Sequence, residues 1–323
     1  MADYGVPPNP PYVAQLMITC FDIGGSAIKS AGADADGHIG AARRVPTPAA
    51  DFGAFTAAMR ELIAAGGPSR GVAISIAGVV DPADGRIKCA NIPCIDGRAL
   101  AADLAAELKL PVWIANDADC FALAEAHAGA GRGHANVFGL ILGTGVGGGL
   151  VIDGRLIGGP GGFAGEWGHG PVAAHFAGTP PQAIPRFACG CGQTGCLDAV
   201  GGARGLERLH AALHPGAAPL DSRQIIDAWQ DGDIDAARTI DCYIDILAGP
   251  LAMLVNTIGA SVLPVGGGLS NSAPLIAMLD DAVRARILRK TAAAIIVPGQ
   301  SGADQSRLGA AWLGLAELAK IAP

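Results

Sequence analysis

The sequence predicts an α/β protein whose two halves repeat one plan and face each other across a central cleft. The first observation behind this is the glycine-rich stretch 138–149, FGLILGTGVGGG: five apolar, strand-type residues run into a turn with five glycines in seven positions, then into Leu150-Val151-Ile152. Glycine costs conformational entropy inside regular structure, so this density points to backbone at positive φ or to a closely approaching ligand. Consecutive N–H groups in such a turn form a concave anion site, to which the Thr144 hydroxyl can donate; a tight hairpin without a ligand is the alternative. The second observation is the same plan about 120 residues earlier: 17–23 is apolar, Gly24-Gly25-Ser26 turns the chain, 28–33 returns, and Asp34-Ala35-Asp36-Gly37 turns again. The later copy likewise ends in an Asp153-Gly154 hairpin signal before 155–157. Asp22, without an acidic counterpart in the later copy, is expected at the mouth of the shared cleft. The third observation is the first half's order, β-β-β-α-β-α-β-α, which argues a mixed sheet layered with helices.

The elements follow in chain order. Residues 52–65 read as a helix with Phe55, Met59, Leu62 and Ile63 on one face, and 71–76 as an alternating strand. Gly78 sits in a turn, Asn91-Ile92-Pro93 in a loop, and 98–108 in a helix. A short strand at 111–115 delivers Asn116-Asp117 to a helix over 117–128. After the glycine-rich hairpin, 158–202 is rich in glycine and proline, a long irregular region that is functional or held by something other than a core. Helices are expected over 203–213, 222–230, 233–258, 274–288 and 306–320, with strands at 261–265, running into Gly266-Gly267-Gly268, and at 294–297. The expected division is an N-terminal arm at 1–16, one domain over 17–130 and a second over 131–323 containing the loop 158–202. No low-complexity linker separates the halves.

Composition limits the function classes. At 323 residues the chain is long enough for two domains and a substantial core. A net charge of -7 and the absence of a Lys/Arg cluster argue against nucleic acid or an anionic membrane as partner. Charged residues are only 16% of the chain, which makes a self-association interface plausible. Residues 1–16 hold four prolines and no basic region followed by an apolar core, so they read as a loose arm rather than a secretory signal. The apolar stretch 244–265 is interrupted by Gly249-Pro250, Asn256 and Pro264 and reads as a buried helix followed by a strand. A cytoplasmic location is the expectation, and there clustered thiols serve metals more often than disulfides.

Two constellations carry chemistry. Cys189-Gly-Cys191-Gly-Gln-Thr-Gly-Cys196 places three thiols within eight residues, and His169 lies twenty residues upstream in Gly165-Glu166-Trp167-Gly168-His169. Three thiolates and an imidazole complete a tetrahedral zinc site, with structural Zn2+ expected on His169, Cys189, Cys191 and Cys196, and His175 as the competing fourth ligand. Cys20, Cys89, Cys94, Cys120 and Cys242 read as core. The second constellation is acidic. Asn116-Asp117, where a strand hands over to a helix, is either an N-cap pair or a general base aimed at a substrate hydroxyl. A helix N-terminus is expected to keep Asp117 at low pKa, acceptable in phosphoryl transfer, where the base mainly orients the nucleophile. Glu166 and Asp198 would be carried into the cleft by the metal-anchored loop.

Together, in order over about 17–320, these motifs resemble the ROK family of sugar kinases: Asp22-Ile-Gly-Gly-Ser-Ala-Ile-Lys29, Asn116-Asp117-Ala-Asp-Cys, Leu142-Gly-Thr-Gly-Val-Gly-Gly-Gly149, Gly165-Glu-Trp-Gly-His169, the cysteine motif and Val265-Gly-Gly-Gly268. Within it, 138–152 and the cysteine motif resemble bacterial N-acetylglucosamine kinases. The resemblance implies an actin-like ATPase fold of two RNase H-like domains, ATP with Mg2+, and phosphoryl transfer to the 6-hydroxyl of a hexose. Asp117 matches the catalytic base, and Asn116, Glu166 and His169 match sugar contacts, with Gly78, Asn91 and Asp198 further sugar-side positions. Asp22 matches the acid near the metal, and the turns Gly24-Gly25-Ser26, Gly143 to Gly149 (Gly143, Thr144, Gly145 and Gly147 foremost) and Gly266-Gly267-Gly268 match the nucleotide side, with Lys29 beside the first. A homodimer is also implied. Ser26 stands where the family usually has Thr, and Asp198 where it usually has Glu, which puts that sugar contact in question. The expected acceptor is N-acetyl-D-glucosamine, with glucose or N-acetylmannosamine as alternatives; a non-catalytic sugar sensor and an actin-like ATPase acting on protein partners are the readings from other classes. Family repressors carry an added helix-turn-helix domain, which the proline-rich first sixteen residues do not resemble.

Overall fold

The computed structural model describes residues 18–81, 84–89, 91–158 and 163–321. The arm expected at 1–16 lies outside the described residues. The first half runs β1 (Ile18–Ile23), β2 (Ala27–Ala33), β3 (Arg43–Pro46), α1 (Phe52–Gly66), β4 (Gly71–Ile76), the small hairpin β5 (Val79–Val80) and β6 (Ile87–Lys88), α2 (Leu100–Leu108), β7 (Val112–Asn116) and α3 (Asp117–Ala128). The second half runs β8 (Asn136–Leu142), β9 (Val146–Ile152), β10 (Arg155–Leu156), β11 (Phe176–Ala177), β12 (Gln182–Ala183), α4 (Asp198–Gly201), α5 (Ala203–Leu213), α6 (Ser222–Gln230), α7 (Ile234–Ile258), β13 (Leu263–Gly266), α8 (Ala273–Arg286), β14 (Ile296–Pro298) and α9 (Gln305–Ile321).

The duplicated plan is explicit in the sheets. One has the order β3-β2-β1-β4-β7, the other β10-β9-β8-β13-β14. In each, three sequential strands pair antiparallel, and the first of them then pairs in parallel with a later strand, beyond which a fifth lies parallel. Parallel pairs need crossovers, and helices supply them. α1 starts where the Asp51 carboxylate accepts the Ala54 N–H at 2.6 Å. It buries Phe55, Met59 and Leu62 against Val72, Ile74 and Ile76 of β4. Because α9 covers the other face of that sheet, β4 is buried on both sides. β3, the third strand before the first helix, adds the edge strand.

Two helices change sides. α3 leaves β7 of the first sheet yet lies on β8 and β9 of the second, where Gly139 and Gly149 make room for it: a Cβ at either would come within 2.9 Å of α3. α9 leaves β14 of the second sheet and returns to cover β1 and β4 of the first, packing along α3 on the way. A division of the chain at 130 therefore separates α9 from the sheet it covers. α7 is the one helix among the described residues long and apolar enough to cross a membrane, but it lies in the second core through residues such as Tyr243, Leu247, Leu251 and Val255. It passes through Pro250 without ending, and the Tyr243 hydroxyl donates to the Gly201 carbonyl at 2.7 Å.

Candidate active site

The site assembles where the ends of the two sheets meet. Asn116 closes β7 and caps α3, its Oδ1 accepting the Asp119 N–H at 2.6 Å. Asn116 is thus the cap, and Asp117, the first residue of the helix, is free for other work. One Asp117 oxygen accepts the Ala118 N–H at 3.0 Å, and the side chain opens to the cleft. Its pKa is raised, contrary to the low value expected of a helix start: surrounding protein displaces water, the nearby Asp22 charge adds to this, and two backbone N–H groups only partly compensate.

Asp119, to which the sequence analysis assigned no role, is buried two residues further in the same helix turn, with Oδ1 lacking a hydrogen-bond partner among the described residues. Burial, then the charges of Glu166 and Asp117, push its pKa up to about 7. Asp22, Asp117, Asp119 and Glu166 therefore share one neighbourhood, and the signal for Asp119 was its place two residues after Asp117.

The glycine turns gather on the two sheets as the pattern suggests. On the first sheet Asp22 faces Lys29 across the β1–β2 register and pairs with it at 3.0 Å. The turn at Gly24-Gly25-Ser26 closes through a Gly24 N–H to Ala27 carbonyl bond of 3.0 Å, and the Thr47 hydroxyl donates to the Gly24 carbonyl at 2.6 Å. Asn91 lies against Gly25, where a Cβ would stand 3.1 Å away. Gly78 lies in the bend between β4 and β5, against the Lys88 carbonyl. On the second sheet three segments converge. Thr144 is exposed at the tip of the β8–β9 turn, Gly202 at the start of α5 touches Gly145, and Gly267, at φ 90°, abuts Leu142 and Gly143. Gly147 lies further along β9 over Ala118, and Gly266 and Gly268 flank the bend after β13. A Cβ at Gly202 would stand 2.5 Å from the Gly145 Cα, so the helix N-terminus reaches the turn only because residue 202 is glycine.

The loop 158–202 brings Glu166, His169 and the cysteines to the same cleft. His169, Cys189, Cys191 and Cys196 offer ligand atoms that all lie within 4.8 Å of one another; His175 is not in this group. The Cys191–Cys196 sulfur separation is 3.7 Å, and His169 Nδ1 lies 3.7 Å from Cys189 Sγ. A tetrahedron with Zn–S bonds of about 2.3 Å has S···S edges of about 3.8 Å, so the donor set fits a closed zinc site in type and spacing. The Gln193 N–H at Cys191 helps push that thiol down to about 7, toward the thiolate a metal requires. Glu166 Oε2 lies 3.6 Å from His169 Nε2, and the Trp167 indole donates to the Gly147 carbonyl at 3.0 Å, tying this loop to the glycine hairpin.

Asp198, the further sugar-side position, contacts the hairpin and the cysteine cluster. Its Oδ1 accepts the Val146 N–H at 2.8 Å, its Oδ2 faces Cys189 Sγ at 3.6 Å, and its own N–H donates to the Gly168 carbonyl at 2.8 Å. Beside Glu166 and His169 opens a cavity of about 470 Å3, lined also by Asp81, Arg86 and Lys88 of the β5–β6 hairpin and by Phe163 and Cys191. No sequence signal marked Arg86, Lys88 or Phe163. A larger cavity of about 700 Å3 runs along α5 beside Arg204, Arg208, His210 and His214 and contains none of the residues above.

Comparison with known proteins agrees with this geometry. The pattern of the ROK family matches residues 18–317. The chain belongs to the ROK family. Its duplicated sheets are the actin-like ATPase fold of that family. ROK relatives include N-acetylgalactosamine kinase AgaK of Shewanella sp. (strain ANA-3), 38% identical over 297 residues, covering 91% of this chain and 95% of that protein. N-acetyl-D-glucosamine kinase of Salmonella paratyphi A is 36% identical over 301 residues, covering 92% of this chain and 99% of that one. Among solved structures, the ROK hexokinase from Thermus thermophilus superposes with a TM-score of 0.82 at 28% identity, over 94% of this chain and all of that one.

Proposed function

We propose that this ROK-family sugar kinase transfers the γ-phosphoryl group of Mg-ATP to the 6-hydroxyl of N-acetyl-D-glucosamine. The observation that carries the reading is Asp117: a carboxylate at a helix N-terminus, open to the cleft, with glycine turns of both sheets around that cleft. Asp117 accepts the hydrogen bond of the sugar hydroxyl and takes its proton as the new P–O bond forms. Its raised pKa makes it a better proton acceptor than an aspartate at its ordinary value. Asn116, Glu166 and His169, with main chain near Gly78 and Asn91, orient the remaining sugar groups, so that positioning supplies much of the rate.

Mg-ATP supplies the phosphoryl group and leaves as ADP. The N–H groups around Gly24–Ser26, Gly143–Gly145 and Gly267 suit its phosphates, and the α5 N-terminus behind the second turn adds a positive end of a helix dipole. Asp22, held by Lys29, is the carboxylate suited to Mg2+. His169, Cys189, Cys191 and Cys196 would hold a structural zinc that fixes the loop bearing Glu166. The reading takes the protein to work in a reducing cytosol as a homodimer, which sedimentation at micromolar concentration would check.

The acetamido sugar is favoured because both relatives above are named for 2-acetamido hexoses. The first of them makes N-acetylgalactosamine a second acceptor to weigh. The deciding experiment is ADP production from Mg-ATP across N-acetylglucosamine, N-acetylgalactosamine, N-acetylmannosamine, glucose and mannose, with Asp117→Asn alongside. One acetamido sugar should stand well above the rest, and the variant should lose turnover by about 10²–10⁴-fold with fold and metal content intact. Near-normal turnover of Asp117→Asn would remove the base from Asp117. No sugar-dependent ADP from zinc-replete protein would sink the kinase reading.

A further inference from the structure

Glu125 lies eight residues along α3 from Asp117, is wholly buried, and takes no part in the chemistry above. Its carboxylate collects four hydrogen bonds. Oε2 accepts the Ala130 N–H at 2.8 Å; Oε1 accepts the N–H groups of Gln300 at 2.8 Å and Ser301 at 2.7 Å and the Ser301 hydroxyl at 2.5 Å. Its main-chain carbonyl also accepts the N–H groups of Gly129 and Gly131, at 3.1 and 3.0 Å. Residues 129–135 lead from α3 into β8, and 299–304 lead from β14 back to α9. One side chain therefore fastens both connecting segments to the helix whose first residue is Asp117.

The surrounding sequence makes room for it. A Cβ at Gly129 would stand 2.2 Å from Oε2, and one at Gly299 would stand 2.9 Å from Oε1. Closing the end of α3 would account for the bond to Ala130 but not for the reach to Gln300 and Ser301, 175 and 176 positions away. A buried carboxylate whose donors are three main-chain N–H groups and a hydroxyl is costly to disturb, because removing it leaves those donors unpaired.

We propose that Glu125 is a positioning residue: it pins the return segment 299–301 to α3, so that the glycine turns of the second sheet close toward Asp117 in a fixed register. The catalytic part of this inference rests on the kinase reading; the pin itself does not. The test is Glu125→Gln, which puts an amide NH2, unable to accept, in place of one oxygen. Amide exchange at 299–301 should quicken at least tenfold relative to β1 and β8, and kcat should fall at least tenfold while KM for the sugar changes less than threefold. Ser301→Ala, which removes only the hydroxyl contact, should move both readouts in the same direction by about threefold, and it carries the test alone if Glu125→Gln does not fold. Unchanged exchange at 299–301 in the folded variants overturns the pin. A lowered Tm with wild-type kcat and KM assigns Glu125 to stability alone and overturns its positioning role. If the wild-type protein shows no sugar-dependent turnover, the kinase reading fails, and the exchange comparison still decides whether the pin exists.

Discussion

Asp117 and Asp119 occupy the same helix turn but meet different amounts of water. A helix dipole is worth about 0.3–1 kcal/mol near a terminus, less than one pKa unit, whereas burial shifts a carboxyl by up to several units. Burial prevails at both. For Asp119, which titrates near 7 when folded against a model value of 3.8, the sign follows directly. Between those values the folded protein holds a proton that the unfolded chain has released, so stability falls as pH rises from about 4 to about 7 and is flat above. Asp119→Asn should remove this slope and be more stable than wild type at pH 8, by up to about 4 kcal/mol. Urea denaturation at pH 5 and pH 8 checks it: an unchanged slope in the variant would place the titration elsewhere.

Among its described residues the loop 158–202 has only β11, β12 and the short α4 as strands and α-helix, yet it carries Glu166 and His169. The four-ligand cluster lies within it, and Asp198 joins it to Val146 and Gly168. Closed zinc sites contribute folding free energy outright. Strong chelation should therefore expose this loop to proteolysis while α7 and both sheets stay protected, and should abolish sugar binding by calorimetry. Unchanged sugar affinity in protein shown to be free of metal would argue against a structural metal here.

Across the whole molecule, the exchange of α3 and α9 makes each sheet depend on the other half of the chain. Ile18, Ala31, Ala73 and Ala115 of the first sheet are buried under Ala310, Ala311 and Leu318 of α9. A fragment ending at residue 130 keeps the first sheet's strands and loses that cover, leaving an apolar face in water. It should not fold to a dispersed monomer, and adding the remaining chain in trans should restore it. A well-dispersed amide spectrum from the isolated fragment would show that the first half folds without α9.

Much of this architecture was legible in one dimension because it is written in local chemistry. Asp117–Ala128 begins where a strand meets an Asn cap, the second turn is five glycines in seven residues, and the metal ligands are three thiols in eight with a histidine nearby. Periodicity, capping and glycine density act between near neighbours, so they survive without a fold. The contacts that cross the chain do not. Burial overcame the helix dipole at Asp117, Asp198 turned onto Val146, α9 returned to the first sheet, and Glu125 reached Gln300 and Ser301. Desolvation and long-range hydrogen bonds depend on what else occupies the space around a residue, and only the packed chain decides that.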